Sequence, residues 1–252
     1  MNKKVEFNIE SFADNKNIGF LTLNNPPVNS LSIDVIDNMN DIIDNLSKDI
    51  KVLVFKSKGR GFCAGADLKE RSLMNDEDTI KIVDRYKRLF NKIDDISCPT
   101  FAAIHGYALG GGLEVALACD FRFATADSVL GFPETSLGII PGAGGTQRLS
   151  RLVGAGKAKK WIFTADKFSA KEAFNDDVID KMFDNENLMS DYINKMISKF
   201  SQNSQLAISL AKKSINYASG VSLDKGLIFE REQYLKTLKD PVRLESLKKF
   251  KK

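Results

Sequence analysis

The sequence predicts an α/β fold, with an α/β core over residues 1–184 and a helical region over residues 185–252. In the first part, short apolar runs of strand type alternate with segments of helical spacing and with glycine-rich turns. From residue 186 onward, apolar residues recur almost throughout at helical spacing. Because strands that alternate with helices are typical of α/β proteins, we place the boundary near Asp184.

The first elements are two short strands and a loop. Residues 5–10 and 18–23 have strand character, and the polar turn of residues 14–17 between them predicts a hairpin. Residues 23–30 contain two consecutive prolines, which fix an extended course. This segment is therefore predicted to be a loop.

Three helices and a buried strand follow before residue 100. Ser32 is predicted to cap a helix, residues 51–56 form an apolar strand, and Asp67 can begin a helix after a glycine-containing loop. Residues 78–93 have the spacing of an amphipathic helix. The helix after Ser32 has its apolar residues at helical spacing, namely Val35, Ile36, Met39, Ile42, Ile43 and Leu46.

The centre of the chain is the stretch of residues 101–145. A strand-type run leads to three adjacent glycines, residues 110–112, which precede a helical segment containing Glu114. A second strand-like run leads to Glu134, which lies between Pro133 and another glycine-rich turn. Glycines before a helix let the backbone approach a ligand and leave unpaired N–H groups, which can hold a developing negative oxygen.

The same residues are also compatible with purely structural roles. Glycines in a strand-to-helix turn can serve packing alone, and an exposed amide near Ala66 is a weak signal by itself. Glu114 can simply favour the dipole at a helix N-terminus, and Glu134 can be an ordinary turn residue after proline. The residues alone leave both interpretations open.

Beyond residue 145 the sequence becomes helical. Two helical segments follow one another, and Ser169 is predicted to cap a third. Gly156 and Lys157 suggest a phosphate-binding loop, but Arg151 stands where that motif requires glycine and Ala158 follows the lysine. We therefore reject a phosphate-binding loop.

Composition indicates an ordinary soluble globular protein. Of 252 residues, 43% are hydrophobic and 28% are charged, and there is no apolar run near the length that spans a membrane. The N-terminus lacks the pattern of a signal peptide, so we expect a cytoplasmic location and no membrane partner. The net charge of +4 is spread along the chain and does not call for a nucleic-acid partner.

Cysteine and histidine usage argues against a metal site. Cys63, Cys98 and Cys119 are too far apart in sequence for a paired-cysteine motif and are expected to be reduced thiols in or near the core. His105 is the single histidine, and no second one is available to join it as a ligand. We expect His105 to be structural and no metal to bind.

Three motifs together resemble the enoyl-CoA hydratase/isomerase (crotonase) family. They are GFCAGADLKE at residues 61–70, AAIHGYALGGGLEVALACD at residues 102–120 and FPETSLGIIPGAGGTQRL at residues 132–149. Their order and spacing are similar to those of the family, and the similarity extends from Leu23 to about Lys239. Any one motif can be coincidental, whereas all three together leave little room for another fold.

The resemblance implies a crotonase/ClpP-like spiral of ββα turns, followed by C-terminal helices that mediate trimer formation. It implies a homotrimer or a hexamer built as a dimer of trimers. The substrate partner would be an acyl-CoA thioester, and no cofactor is implied, because coenzyme A is part of the substrate.

The resemblance also assigns roles to individual residues. The N–H groups of Ala66 and Gly111 would hold the thioester oxygen, while Glu114 would activate water and Glu134 would protonate the α-carbon. Gly142 matches a glycine near the reacting water. Further positions match residues that line the CoA and acyl groove, and these are Ala64, Asp67, Leu68 and Lys69.

The function that follows is enoyl-CoA hydratase, which adds water across the 2,3 double bond of a 2-enoyl-CoA. Two fixed amides stabilise the enolate-like transition state, and a carboxylate pair moves the protons. One alternative is a Δ3,Δ2-enoyl-CoA isomerase, which needs a proton shuttle but no water. A remote alternative is a non-catalytic acyl-CoA- or RNA-binding protein, although no aromatic-lined basic motif is present.

The chain departs from the family pattern in two places. Asp177 begins a segment where the family has glycine, so the turn after Ala173 must avoid the left-handed conformation or accept strain. In the tail, Ser246 replaces a glycine and Phe250 is displaced, which weakens the assignment of the final two lysines, residues 251–252, as CoA ligands. The floor of the acyl pocket is expected in a loop of residues 71–78 and in the C-terminal helices.

Overall fold

A computed structural model of the chain, which describes residues 4–12 and 16–250, contains two β-sheets flanked by helices. The strands β1–β9 are Val5–Phe12, Lys16–Leu23, Ile50–Ser57, Thr100–Ile104, Tyr107–Leu109, Phe121–Thr125, Val129–Gly131, Lys167–Ser169 and Lys181–Phe183. The helices α1–α10 are Ile33–Asp44, Leu68–Ser72, Asp76–Asp94, Gly111–Leu117, Gly145–Phe163, Ala170–Asn175, Glu186–Ser201, Gln205–Ala218, Leu223–Thr237 and Pro241–Lys248. The segment Pro133–Leu137 forms a short 3-10 helix.

The predicted N-terminal hairpin is confirmed. Strands β1 and β2 pair antiparallel, with Val5 opposite Leu23. Two residues of the predicted polar turn, Lys16 and Asn17, belong to β2, whereas the rest of that turn lies outside the described residues. Residues 24–30 are a loop, as the prolines predicted.

The larger sheet has the strand order β1-β2-β3-β4-β6-β9 and is parallel from β2 onward. Both of its faces are covered. In β3, Leu53 and Phe55 enter the main core, while Val52 and Val54 enter a second core on the opposite face, beneath α7. Burial on both faces explains why this strand is a continuous apolar run in the sequence.

The smaller sheet has the order β5-β7-β8, with β5 parallel to β7 and β8 antiparallel to β7. The sequence did not predict β5, β7, β8 or β9. Each contains three residues, which is too short to show the alternation that identifies a strand. The small sheet matters because two of its strands lead directly into the candidate site.

The predicted helix caps at Ser32, Asp67 and Ser169 are confirmed. Each side chain accepts a hydrogen bond from a backbone N–H of the first turn, and Ser169 forms a capping box with Glu172. The position of the helix predicted over residues 78–93 was slightly wrong. An Asn75 cap starts α3 two residues earlier, because the Asn75 side chain accepts from the amide of residue 78.

One prediction about a loop is wrong, and one alternative left open for a turn is decided. Residues 71–78, expected to form a pocket-floor loop, instead close α2 and open α3, so only residues 73–75 lie between the helices. Asp177 has φ = 64° and therefore adopts the left-handed conformation that the sequence made costly. Aspartate tolerates this conformation better than most residues, and Asp177 also pairs with Lys157 at 3.0 Å.

The two helical segments predicted after residue 145 join in α5, with a break at Gly154, where φ is 79°. Helices α7–α10 follow the last strand, and α8 packs on the core through Lys212, whose Nζ lies 2.8 Å from Asp120 Oδ2. Within the described residues, no helix has both the length and the apolar character needed to cross a membrane.

The cysteine and histidine predictions can also be compared with the structure. Cys63, Cys98 and Cys119 are buried free thiols, as expected. His105 Nε2 lies 3.1 Å from the Gly59 carbonyl oxygen, which ties the ring to the loop that follows β3. Both observations agree with structural roles for these side chains.

Candidate active site

The first element of the site is the backbone around Ala66. After β3 the chain runs alongside β5, where Cys63 N donates to Tyr107 O at 3.1 Å and Leu109 N donates to Cys63 O at 3.0 Å. Gly65 has φ = 94°, and a Cβ atom added there would lie 2.8 Å from Leu109 O. Only glycine fits this crossing, and the crossing fixes the position of the Ala66 amide.

The second amide is that of Gly111, the first residue of α4. A Cβ atom added to Gly111 would lie 3.6 Å from Ala66 N, so the two backbones are adjacent. Neither N–H donates to a protein acceptor among residues 4–12 and 16–250. The three-glycine turn is needed for this approach, because a Cβ atom on Gly112 would lie 2.4 Å from Cys63 O.

Glu114 lies one turn into α4 and is 4% exposed. Its Oε1 accepts hydrogen bonds from Ala143 N at 2.8 Å and from Gly145 N at 2.7 Å. Burial raises the pKa of Glu114, while these two N–H groups and the charge of Arg148 act in the opposite direction. The carboxylate is thus held rigidly at the start of α5.

Glu134 lies in the 3-10 helix that follows β7. A Cβ atom added to Gly110 would lie 2.6 Å from Glu134 Oε1, and Glu134 Oε2 is buried without a hydrogen-bond partner in the described part of the chain. Burial raises the pKa of Glu134 to about 7, and the negative charge of Glu114 contributes in the same direction. This carboxyl group is therefore partly protonated near neutral pH.

The small sheet brings the two acids together. Strands β5 and β7 are parallel and in register, with Leu109 opposite Gly131, so both chains leave the sheet at the same edge. Gly110 N then donates to Gly131 O at 2.9 Å. Each acid consequently faces a glycine turn on the segment that carries the other acid. Glu114 faces residues 143–145, which follow Glu134 in the chain, and Glu134 faces Gly110, which precedes Glu114.

The structure places the other predicted site residues around this centre. Ala64 and Asp67 flank the Ala66 segment and are half-buried, whereas Leu68 and Lys69 are exposed on α2. Gly142 directly precedes the residue whose N–H binds Glu114. No contact joins Leu68 or Lys69 to either glutamate among the hydrogen bonds and ion pairs of the described residues.

Sequence reasoning missed the contribution of α3. A Cβ atom added to Gly142 would lie 3.1 Å from Val83 Cγ1, and Tyr86, one turn later, donates its hydroxyl proton to Leu31 O at 2.6 Å. The amphipathic spacing identified α3 as a helix. It did not indicate which apolar residues border the site.

A cavity of about 640 Å³ lies elsewhere, between the core and α8. Asp120, Arg148 and Lys212 are among its lining residues, and neither glutamate is. The candidate site formed by the two amides and the two acids is therefore separate from this cavity.

The two free amides and the two neighbouring acids can each contribute to a reaction. Two N–H donors can stabilise an oxyanion, and two acids with different surroundings can divide the roles of base and acid. The hydrogen-bonded Glu114 suits the ionised role, and Glu134, with its pKa near 7, suits proton donation.

Comparison with known proteins agrees with this architecture. The sequence model of the family described as "Enoyl-CoA hydratase/isomerase" matches residues 13–252. The chain is 40% identical over 240 residues to the putative enoyl-CoA hydratase/isomerase YngF of Bacillus subtilis. This alignment covers 94% of this chain and 92% of that protein. It is 38% identical over 224 residues to the short-chain-enoyl-CoA hydratase of Clostridium acetobutylicum, covering 86% and 84% of the two chains.

The same relationship holds at the level of structure. The crystal structure of an enoyl-CoA hydratase from Bacillus anthracis superposes with a TM-score of 0.91 at 36% identity, covering 98% of this chain and 96% of that one. The fold is thus the crotonase-type α/β fold with two sheets and C-terminal helices, as the resemblance implied. The chain belongs to the enoyl-CoA hydratase/isomerase family. Acyl-CoA thioesters are the substrates expected of this family.

Proposed function

We propose that the protein is an enoyl-CoA hydratase that adds water to a 2-enoyl-CoA to give a 3-hydroxyacyl-CoA. The observation that supports this most strongly is the presence of two carboxyl groups beside two free amides: Glu114 is buried, and Glu134 is half-buried with one buried oxygen. Hydration requires one group to activate water and another to deliver a proton. A single acid would suffice for proton shuttling alone.

In the proposed mechanism, the thioester oxygen accepts hydrogen bonds from Ala66 N and Gly111 N. Water attacks the β-carbon while Glu114 takes its proton, and electron density moves from the double bond to the thioester oxygen. Glu134 then protonates the α-carbon. The two amides are fixed before substrate binds, so they stabilise the enolate without reorganising, and each such donor typically contributes roughly 100- to 1000-fold in rate.

The groove residues have supporting roles in this proposal. Ala64, Asp67, Leu68 and Lys69 lie along the segment that carries the Ala66 amide, where CoA and the acyl group would bind. Gly142 would border the water, because it precedes the amide of Ala143 that holds Glu114. The absence of a side chain there leaves room beside Val83.

Δ3,Δ2-enoyl-CoA isomerisation is the second candidate, and one observation favours it. Glu134 has a buried, unpartnered Oε2 and a pKa of about 7, which suits a carboxyl group that takes and returns one proton. The hydrogen bonds that fix Glu114 favour hydration instead, since isomerisation gives that residue no task.

A steady-state assay with 2-enoyl-CoA and 3-enoyl-CoA thioesters of several chain lengths tests the proposal. We expect the wild type to hydrate the 2-enoyl substrates, and Glu114→Gln and Glu134→Gln each to lower kcat by at least about 100-fold. Glu10→Gln is a matched control, because Glu10 is exposed on the outer strand β1. Wild-type rates in either site variant, or isomerisation of 3-enoyl-CoA without hydration of 2-enoyl-CoA, would contradict the proposal.

A further inference from the structure

Arg71 is a half-buried cation with one buried nitrogen that has no partner among the described residues. It lies in α2, where its backbone N–H donates to Asp67 O at 2.9 Å. Its Nη1 is buried and has no hydrogen-bond acceptor among the described residues. Since a buried donor without an acceptor is costly, Nη1 is expected to meet an acceptor in some functional state of the protein, and the charge of the group favours an anion.

Neighbouring residues place the Arg71 guanidinium on the side of the oxyanion amides. Burial raises the pKa of Tyr86, and the charge of Arg71 acts in the opposite direction, so the guanidinium lies within electrostatic range of the Tyr86 hydroxyl. The Tyr86 hydroxyl donates to Leu31 O at 2.6 Å. A Cβ atom added to Gly111 would lie 3.3 Å from Leu31 Cδ1, so Tyr86 and Leu31 connect Arg71 to the amide of Gly111.

The acids nearest to Arg71 in sequence are bound to other groups. Asp67 Oδ1 accepts from two backbone amides of α2, and its Oδ2 accepts from Ser30 Oγ. Glu70 Oε2 accepts from Ile33 N at 2.9 Å. Within residues 4–12 and 16–250, Arg71 forms no ion pair, in contrast to Arg85 and Arg148, which pair with aspartates.

We propose that Arg71 binds a carboxylate at the far end of the acyl group, so that the preferred substrate is a 2-enoyl thioester carrying a distal carboxylate. The inference rests on the proposed function. A guanidinium matches a carboxylate with two parallel N–H donors, and its planar fork selects such a group over a methyl end. The thioester would be held at Ala66 and Gly111, and the acyl chain would extend towards Tyr86 and Arg71.

The phosphates of CoA are the other possible source of an anion, and burial argues against them. The Nη1 atom of Arg71 has no access to solvent, whereas the charged diphosphate of a nucleotide-bearing carrier is strongly hydrated. A phosphate contact would also act on every CoA thioester alike. The two sources therefore predict different effects of one substitution.

Hydration of glutaconyl-CoA and crotonyl-CoA separates these effects, because the two thioesters differ mainly in the terminal carboxylate. We expect Arg71→Met to lower kcat/KM for glutaconyl-CoA by about 10- to 100-fold and to change that for crotonyl-CoA by less than about twofold. For Arg71→Lys we expect a kcat/KM for glutaconyl-CoA between the values of the wild type and Arg71→Met, since lysine retains the charge but lacks the planar pair of N–H donors. Arg88→Met is the matched control, because it removes an equal charge from an exposed position of α3.

Calorimetric titration with glutaryl-CoA and butyryl-CoA tests the inference without turnover. The wild type should bind glutaryl-CoA at least about tenfold more tightly than Arg71→Met does, with equal affinities of both proteins for butyryl-CoA. An equal loss for both ligands, or no loss for either, would overturn the role of Arg71. If the wild type hydrates neither substrate but shows this binding difference, the hydratase proposal fails and the carboxylate site stands.

Discussion

At the scale of single residues, the environments of the two glutamates differ in a way that sequence position does not reveal. Glu114 accepts two backbone N–H bonds, whereas Glu134 has a buried oxygen without a partner in the described residues. Burial raises the pKa of both; at Glu114 two backbone N–H donors from the start of α5 oppose the shift, whereas at Glu134 the charge of Glu114 adds to it. The assignment of base and acid follows from this difference.

The pH dependence of hydration should report the ionisation of Glu134. Because Glu134 must be protonated to donate, we expect kcat/KM to fall above about pH 7, approaching tenfold per pH unit. In Glu134→Gln, the residual rate should lack this decline. Initial rates between about pH 5 and pH 9 provide the measurement. A basic limb that persists in Glu134→Gln would assign the acid to another group.

The same raised pKa predicts a pH-dependent loss of stability. Below the ordinary value of 4.5, the carboxyl group is protonated in both folded and unfolded chains and contributes nothing. As the pH rises from 4.5 to about 7, only the unfolded chain releases the proton, so the free energy of unfolding falls. The full loss, above about pH 7, is on the order of 3 kcal/mol.

Urea unfolding of the wild type and of Glu134→Gln at about pH 5 and pH 8 measures this effect. The variant lacks the ionisation, so its stability relative to the wild type should increase between the two pH values. Glu10→Gln, which alters an exposed glutamate, should show no such increase. If the stability difference between Glu134→Gln and the wild type is the same at both pH values, the pKa of Glu134 is not raised in the folded protein.

At the scale of elements, the site depends on how closely α4 approaches the segment that carries Ala66. Cys63 pairs with β5 on one side, and Gly112 of α4 passes directly over its carbonyl oxygen. The three glycines thus serve both packing and the exposure of an amide. The sequence left open whether this turn serves packing or presents an amide to a ligand, and the two roles are compatible.

A pair of glycine substitutions tests this packing. In Gly112→Ala, the new Cβ would lie 2.4 Å from Cys63 O, so we expect a loss of about 1 to 3 kcal/mol in the free energy of unfolding, together with a lower kcat. Gly156→Ala is the matched control, because nothing lies within 4 Å of its Cβ position in α5. It should be neutral or stabilise by about 0.4 to 1 kcal/mol. Equal effects in urea unfolding would contradict the packing argument.

At the scale of the whole molecule, the last helices present apolar side chains to the surface. In α9, Leu223 is 77% exposed, Leu227 50% and Ile228 63%. Several exposed apolar side chains on one helix are typical of a protein contact. We propose that residues 185–252 form an oligomerisation region distinct from the core of residues 1–184, and that the protein assembles as a homotrimer or as a hexamer of two trimers.

Sedimentation equilibrium tests this assembly. We expect a mass of three or six times the 28.0 kDa of one chain. Ile228→Glu, which buries a charge in the proposed contact, should shift the distribution to smaller species, because an unpaired buried charge is strongly unfavourable. Ile9→Glu on β1 alters an exposed isoleucine outside these helices and should leave the mass unchanged. A wild-type monomer would exclude the proposed role of the region.

The amino-acid sequence was enough to predict the α/β class, the hairpin, the caps of three helices and the acids and glycines proposed for the site. Those features depend on local spacing and on backbone preferences that a short stretch carries by itself. Asp177 shows the limit of such reasoning, since its sequence left two backbone conformations open and the structure shows the left-handed one.

Which acid faces which glycine turn, and where Arg71 lies, became visible in the folded chain. Strands β5 and β7 have three residues each, and their parallel register places Glu134 beside Gly110 and Glu114 beside Gly145. Pairing between distant three-residue segments leaves no periodic trace in the sequence. The pKa of a carboxyl group depends in turn on burial and on donors supplied by remote segments, so it is a property of the packed molecule.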